Sequence, residues 1–304
     1  MKKIMIWTGI IITALLMLWA FDIASADEDL DVSEDTSIDS TLSTDEDLDV
    51  SEDTFTDPIV SADEDLEVSE DASTEKTAIS PEYSEHINTG NSYAEKEQYD
   101  EAIAEYNMAI ELDPELMEGY NNRGLAYSYK GEHEKAVSDF SKAIEINPDQ
   151  TDGYLNRAIA YHDNSQYDQA ISDYNKVIEI DPEDATAYNN LGNIYNIKGQ
   201  YDNAISDLNK AIEINPELTD AYFNRGISYD KKVQYDKAMA DYNKAIELNP
   251  TFAEAYNNRA LIYYKNGLID KALSDLDKSL EINPAYSDAQ KNREIVSKKT
   301  MKSR

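Results

Sequence analysis

Six asparagines recur at intervals of 34 residues: Asn88, Asn122, Asn156, Asn190, Asn224 and Asn258. A carboxamide offers two donors and an acceptor, so it can pair with both polar groups of a peptide bond. Six in a row could grip an extended backbone with little regard for its side chains. The same row could instead hydrogen-bond within its own array, or persist as a by-product of repeat duplication. Both readings are open from the residues alone.

Other candidates for chemistry are fewer. Of the three histidines, His86 and His133 fall at positions that the repeat uses for packing, and only His162 is expected to face a groove, with Asp163 beside it. One histidine next to one aspartate reads as a polar surface pair rather than a base with its orienter. There is no G-x-S-x-G, H-E-x-x-H or P-loop, and no catalytic residue is assigned. With no cysteine in the chain, disulfides, thiolate zinc sites and cysteine nucleophiles are all excluded. Asp27, Asp29 and Asp31 have the spacing that opens a calcium loop, as do Asp45, Asp47 and Asp49. Val32 and Val50 stand where the sharp turn needs glycine, and Ile38 and Thr56 where the bidentate glutamate belongs. No metal or cofactor is therefore expected, and the protein reads as a non-enzyme.

The elements that position these residues are set by the same interval. Pro114, Pro148, Pro182, Pro216, Pro250 and Pro284 each close a phrase such as AIELDP or AIEINP. A fixed period in this range means stacked copies of one supersecondary unit, none able to bury its apolar face alone. The units run 83–116, 117–150, 151–184, 185–218, 219–252 and 253–286, and residues are numbered below by their place within a unit. In the fourth, Tyr188, Leu191, Tyr195, then Ala204, Ile205, Leu208 and Ile212 follow the spacing of two amphipathic helices. Gly199 separates them, Asp202 is positioned to cap the second, and Pro216 stops it. Place 8 is always Gly or Ala (Gly90, Gly124, Ala158, Gly192, Gly226, Ala260), and place 20 is always Ala, so paired helices approach closely.

On these residues the units resemble tetratricopeptide (TPR) repeats over 83–286, about two thirds of the chain. The resemblance implies an all-α, right-handed α-solenoid of six helix-turn-helix repeats, with 287–299 as a C-terminal capping helix. It also implies a concave face that binds protein. Places 12 and 13 are exposed there in the family, which makes Tyr129 and Tyr264 contact candidates, with His162, Asn193, Asn196 and Asp230 tuning the choice. The place-6 asparagines resemble the asparagine ladder lining some long TPR superhelices. The family's basic clamp for a partner's terminal carboxylates wants Lys at place 5, where this chain has Ile87, Asn121, Leu155, Asn189, Phe223 and Asn257. The chain departs from the family at place 7, with Arg123, Arg157, Arg225 and Arg259 where Leu is usual. Asp139, Asp173, Asp241 and Asp275 recur in the second helices of the same units, and the arginine heads are expected to reach them.

The formal charge of −35 is uneven: 21 acids and one Lys over 27–76 give −20, 40 acids and 24 Lys/Arg over 77–304 give −16, and 1–26 give +1. No basic face is visible, so nucleic acid is not an expected partner. Residues 27–80, with three near-copies of DEDLDVSEDT 18 residues apart, read as an acidic disordered spacer. Before it, Lys2 and Lys3, the apolar run Ile4–Phe21 and Ala24-Ser25-Ala26 have the three parts of a secretory signal. An uncleaved membrane anchor over 4–21 is the alternative. The reading is an exported interaction scaffold whose concave groove takes an extended peptide or helix of another protein, with no small-molecule substrate. Two alternatives stand beside it: a membrane-tethered assembly factor, and an acidic cation- or surface-binding segment displayed by a passive repeat stalk.

Overall fold

The computed structural model describes residues 80–302, and all regular structure among them is helical. The signal and nearly all of the acidic segment lie outside the described residues. Six helical hairpins follow in sequence: α1 Pro81–Ala94 with α2 Tyr99–Leu112, α3 Met117–Tyr129 with α4 His133–Ile146, α5 Thr151–Asp163 with α6 Tyr167–Ile180, α7 Ala185–Ile197 with α8 Tyr201–Ile214, α9 Thr219–Lys231 with α10 Tyr235–Leu248, and α11 Ala253–Lys265 with α12 Ile269–Ile282. A last helix, α13, runs Ser287–Lys302. Each helix packs chiefly against its hairpin partner and against the next hairpin, the contact pattern of an α-solenoid.

Small residues set the hairpin spacing. A Cβ added to Gly90 would stand 2.5 Å from the Tyr106 ring, at Gly124 2.7 Å from Phe140, at Gly192 2.6 Å from Leu208 and at Gly226 2.6 Å from Tyr242. Place 8 therefore receives the large place-24 side chain of the partner helix. Beside it, the place-20 alanines from Ala102 to Ala272 are completely buried.

Between the helices of each hairpin the chain turns through a residue with positive φ at place 15. Gly131, Gly199 and Gly267 hold it at 72°, 68° and 73°, but Glu97, Ser165 and Val233 adopt the same conformation at 60°, 55° and 59°. The turn geometry is thus imposed by hairpin packing even where no glycine asks for it. Val233 carries the largest penalty, because a β-branched side chain crowds its own backbone there. It is 66% exposed and has little packing to lose. Val233→Gly is therefore expected to stabilise the array by about 0.5–1 kcal/mol, the relief of left-handed strain less the extra freedom of glycine in the unfolded chain. Urea unfolding monitored by helical circular dichroism would check it, and an unchanged or lowered midpoint would refute it.

Asp202 does not cap α8. The helix begins at Tyr201 after Gln200, which makes no side-chain capping bond. Asp202 sits one residue inside the helix and instead receives Lys232 Nζ from the next repeat. Lys130 with Asp100 and Lys198 with Asp168 repeat this inter-repeat contact. Each second helix ends on an Asx turn: Asp113, Asn147, Asp181, Asn215, Asn249 and Asn283 accept the backbone N–H two residues on, across the proline that follows each.

The capping helix keeps the register of a seventh first helix. Asn292 occupies place 6 and donates to Asn257 Oδ1 at 2.9 Å, Arg293 occupies place 7 and reaches Asp277 at 2.5 Å, and Ala289 and Val296 are buried beneath it.

Candidate protein-binding surfaces

On a helix, places 2, 6, 9 and 13 are spaced four, three and four apart and so share one face. In the first helices of the hairpins this face carries the asparagine row. Its accessibility is unequal along its length. Asn122, Asn156, Asn190, Asn224 and Asn258 are all buried, at 0–6% exposure, and only Asn88 is exposed. The buried carboxamides are used between neighbouring helices. Asn122 Nδ2 donates to Asn91 Oδ1 at 3.2 Å, Asn156 to Asn121 at 3.0 Å, and Asn224 to Asn189 at 3.0 Å. Asn190 and Asn258 accept instead within their own helices, from Asn189 at 3.1 Å and from Asn257 at 3.0 Å. In this conformation the row stitches repeat to repeat, and a strand lying over it would not touch five of its six members.

The remaining sequence candidates divide in the same way. Asn196 is buried, donating to the Asn224 carbonyl at 2.8 Å and accepting from Ser228 Oγ at 2.5 Å. Asp230 is buried in an ion pair with Lys265 at 3.0 Å, and Tyr264 lies buried under Lys299, whose Nζ is 4.7 Å from the ring centroid. Asn193 is also buried, and neither polar atom of its side chain meets a protein partner. Asn88 and Tyr129 are exposed, and His162 keeps only a small accessible surface. Asn88 lines an open hollow of about 600 Å³ together with Pro81, Ser84, Glu85, Thr89 and Ser92. Tyr129 is 39% exposed and stacks on Tyr99, centroids 5.3 Å apart and planes 12° from parallel. His162 meets Asp163 at 3.3 Å and the edge of Tyr167 at 5.7 Å.

Reading places alone missed the acids at the rim of this face. Place 2 down the units reads Ser84, Glu118, Asp152, Thr186, Asp220 and Glu254, four of six acidic. Asp220 is half-buried, and burial, then the nearby Glu254, pushes its carboxyl up to about 6. Burial raises Glu254 as well. Two carboxylates that resist ionising beside one another are relieved by a cation placed between them. Aligning the units at place 2 would have shown this row from sequence.

The expected arginine–aspartate pairing is present in all four units that carry it. Arg225 is typical: Nε donates to Asp241 Oδ2 at 2.8 Å and Nη2 to Oδ1 at 2.7 Å, a two-pronged contact. Its Nη1 donates to Asn209 Oδ1 of the preceding repeat at 2.7 Å. Arg123, Arg157 and Arg259 repeat the fork with Asp139, Asp173 and Asp275. Their third donors go to Asn107, Ser141 and Asn243. Each guanidinium also lies over a tyrosine of its own first helix, and Arg157, Arg225 and Arg259 over two, at 5.6 Å from Tyr222 and 5.9 Å from Tyr229 for Arg225. The clasp thus ties three helices, one of them in the neighbouring repeat.

Among the described residues no group of His, Asp and Glu could hold a metal ion, and no helix is long and apolar enough to cross a membrane.

Comparison with known proteins agrees with this geometry. A TPR repeat profile matches residues 90–128, 160–196, 192–233 and 234–267, and two tetratricopeptide repeat profiles match 118–150, 253–286 and 140–172. Together the matches run without a gap from 90 to 286. No curated protein sequence matches the chain. Among solved structures, a tetratricopeptide repeat protein from Parabacteroides merdae superposes with a TM-score of 0.63 at 21% identity, over 73% of this chain and 88% of that one. The APC/C hetero-tetramer Cut9-Hcn1 gives 0.63 at 20% identity over 71% of this chain. This chain spans only 43% of that one. Pseudomonas aeruginosa pilF gives 0.60 at 16% identity, covering 69% of this chain and 95% of that one. At these identities the likeness is one of fold.

Proposed function

Because the chain belongs to the tetratricopeptide-repeat family and is built as a protein-interaction scaffold, we propose that the inner face of its array takes an extended segment or helix of another protein, and that this segment is basic. The observation that carries the reading is the acidic place-2 row, above all Asp220 and Glu254, whose raised carboxyls mark a spot where a partner's cation is stabilised. Tyr129 supplies an exposed ring and His162 a mostly buried one at the other end of the first helices, and Asn88 opens the row at α1. The buried asparagines act as the frame behind these contacts. A groove of this sign also hastens the approach of a basic partner.

The N-terminal residues support a place of action outside the cytoplasm. Lys2 and Lys3, the apolar stretch from Ile4 to Phe21 and the small residues Ala24 and Ala26 compose an export signal, with retention as a membrane anchor as the variant reading. The mass of the mature chain separates the two.

A photo-crosslinking amino acid placed at Tyr129 of the full chain tests the groove. The captured segment is expected to carry net positive charge, and a synthetic copy of it should bind about 3–10-fold more weakly to an Asp220→Asn, Glu254→Gln double variant, with a shallower salt dependence. Capture of neutral or acidic segments, or affinity untouched by the double variant, would overturn the reading.

A further inference from the structure

Units two, three, five and six each house a guanidinium in the same socket. Its floor is the place-23 aspartate, its sides are the tyrosines at places 4 and 11, and its far wall is the place-25 Asn or Ser of the preceding repeat. Unit four keeps every wall and lacks the occupant. Place 7 is Leu191, while Asp207 stands at place 23, Tyr188 and Tyr195 at places 4 and 11, and Asn175 at place 25 of the unit before.

The side chains behave as an unfilled socket should. Leu191 is buried in the apolar cluster with Tyr174, Val177 and Ile194, so it replaces the aliphatic stem of an arginine and supplies no head. Asp207 makes no hydrogen bond or ion pair among the described residues, and burial alone pushes its carboxyl up to about 6. That unpaired charge also raises the Tyr195 hydroxyl, after burial. Asn175 turns its amide to the Ile171 carbonyl at 2.8 Å, whereas Asn209 and Asn243 use Oδ1 to accept from arginine. Asn175 is exposed and Asp207 only half-buried, in contrast to the buried Asp139, Asp173 and Asp241, so the position can be reached from solvent.

We propose that Asp207, Tyr188, Tyr195 and Asn175 form a receptor site for an arginine side chain presented by a partner protein. The Asp207 carboxylate takes the fork of the guanidinium, the two rings bracket its faces, and Asn175 Oδ1 accepts the third donor. Lysine, a point charge with no planar fork, fits neither the carboxylate nor the paired rings as well. Among the described residues every arginine (Arg123, Arg157, Arg225, Arg259 and Arg293) is paired within the array, and the proposed occupant is one from a second molecule. At about 100° per residue, place 7 lies more than a quarter turn from places 6, 9 and 13, so the socket is separate from the groove proposed above and does not depend on it.

The test uses the full chain with 13C-labelled tyrosine and N-acetyl-arginine amide as probe. Saturable shifts confined to Tyr188 and Tyr195 are expected, with half-saturation at roughly 1–10 mM for so small a ligand. The citrulline and lysine counterparts should respond at least about fivefold more weakly. Leu191→Arg fills the socket from within and should abolish the response, and Asp207→Asn should abolish it by removing the floor. The second variant, which changes no volume, decides the matter if the first fails to fold. No saturable shift by about 100 mM, an equal response to lysine, or a response surviving Asp207→Asn would overturn the proposal. Tighter binding of free arginine than of the capped residue would also overturn it, since the site would then serve a metabolite.

Discussion

Arg225→Leu is expected to cost about 3 kcal/mol of stability, the lower end of the penalty for breaking a buried ion pair, because the arginine side chain keeps 18% exposure. The cost arises on the aspartate. Asp241 is 6% exposed, and both its carboxylate oxygens are satisfied by Arg225. Without the guanidinium a buried carboxylate remains with no countercharge, and it answers by binding a proton. Asp207, which already lives beside a leucine, shows the direction, with a carboxyl near 6 against an ordinary 3.8. A carboxyl raised in the folded state binds more protons there than in the unfolded chain, so stability falls as pH rises from about 4 through about 6. The variant should therefore recover part of its loss on acidification, by more than the parent gains, since burial already raises the Asp241 carboxyl there and Arg225 pulls it partway back. Combining Arg225→Leu with Asp241→Asn should restore most of the stability at neutral pH. Urea unfolding at pH 5 and pH 7.5 would measure both effects. A loss below about 1 kcal/mol, or one indifferent to pH, would show that the clasp is ornamental.

Gly226→Val is expected to cost a comparable 2–3 kcal/mol by overpacking. An added Cβ already meets the Tyr242 ring at 2.6 Å, and Tyr242 is fully buried with nowhere to swing. Alanine at the same place should be tolerated better, because Ala158 sits opposite the equally buried Tyr174 in unit three. The branched side chain has no such precedent in any of the six units. The damage should stay local, since each repeat touches only its neighbours. Hydrogen exchange is expected to quicken in α9 and α10 and their neighbours while α1 to α4 keep their protection. Uniform loss across the array would contradict this picture of nearest-neighbour stability.

Most of the fold was legible because one pattern is written six times. The prolines fix the unit length, and the small residues at places 8 and 20 fix which faces meet. The arginine–aspartate pairs could be read because, in the six units, every arginine at place 7 has an aspartate at place 23 of its own unit. What escaped was decided by packing between units rather than within one. Helical spacing puts Asn190 and Asn224 on the inner face, yet the closeness of α7 and α9 buries them, and no single unit reveals that distance. Tyr264 and Asp230 were covered by Lys299 and Lys265 from later helices for the same reason. Asp202 failed as a cap because the helix starts one residue before it, at Tyr201, and its carboxylate turns to Lys232 a repeat away. The turns at Ser165 and Val233 were unreadable locally, since the neighbouring helices force a backbone that those residues do not favour.

The stitching amides carry one more implication. Place 5 alternates down the array, apolar at Ile87, Leu155 and Phe223, and Asn at Asn121, Asn189 and Asn257. Only the second set accepts from a place-6 asparagine of the following helix, at Asn156, Asn224 and Asn292. A chain of near-identical units is prone to pairing a helix with the wrong copy of its neighbour, within one molecule or between two. An error of one unit here sets a buried carboxamide against an aliphatic or aromatic side chain and removes the place-5 acceptor it uses natively. An error of two units restores the match, but it must leap the 68 residues separating Asn121 from Asn189. The alternation works as a parity check on assembly, rejecting the mistake that repetition makes easiest.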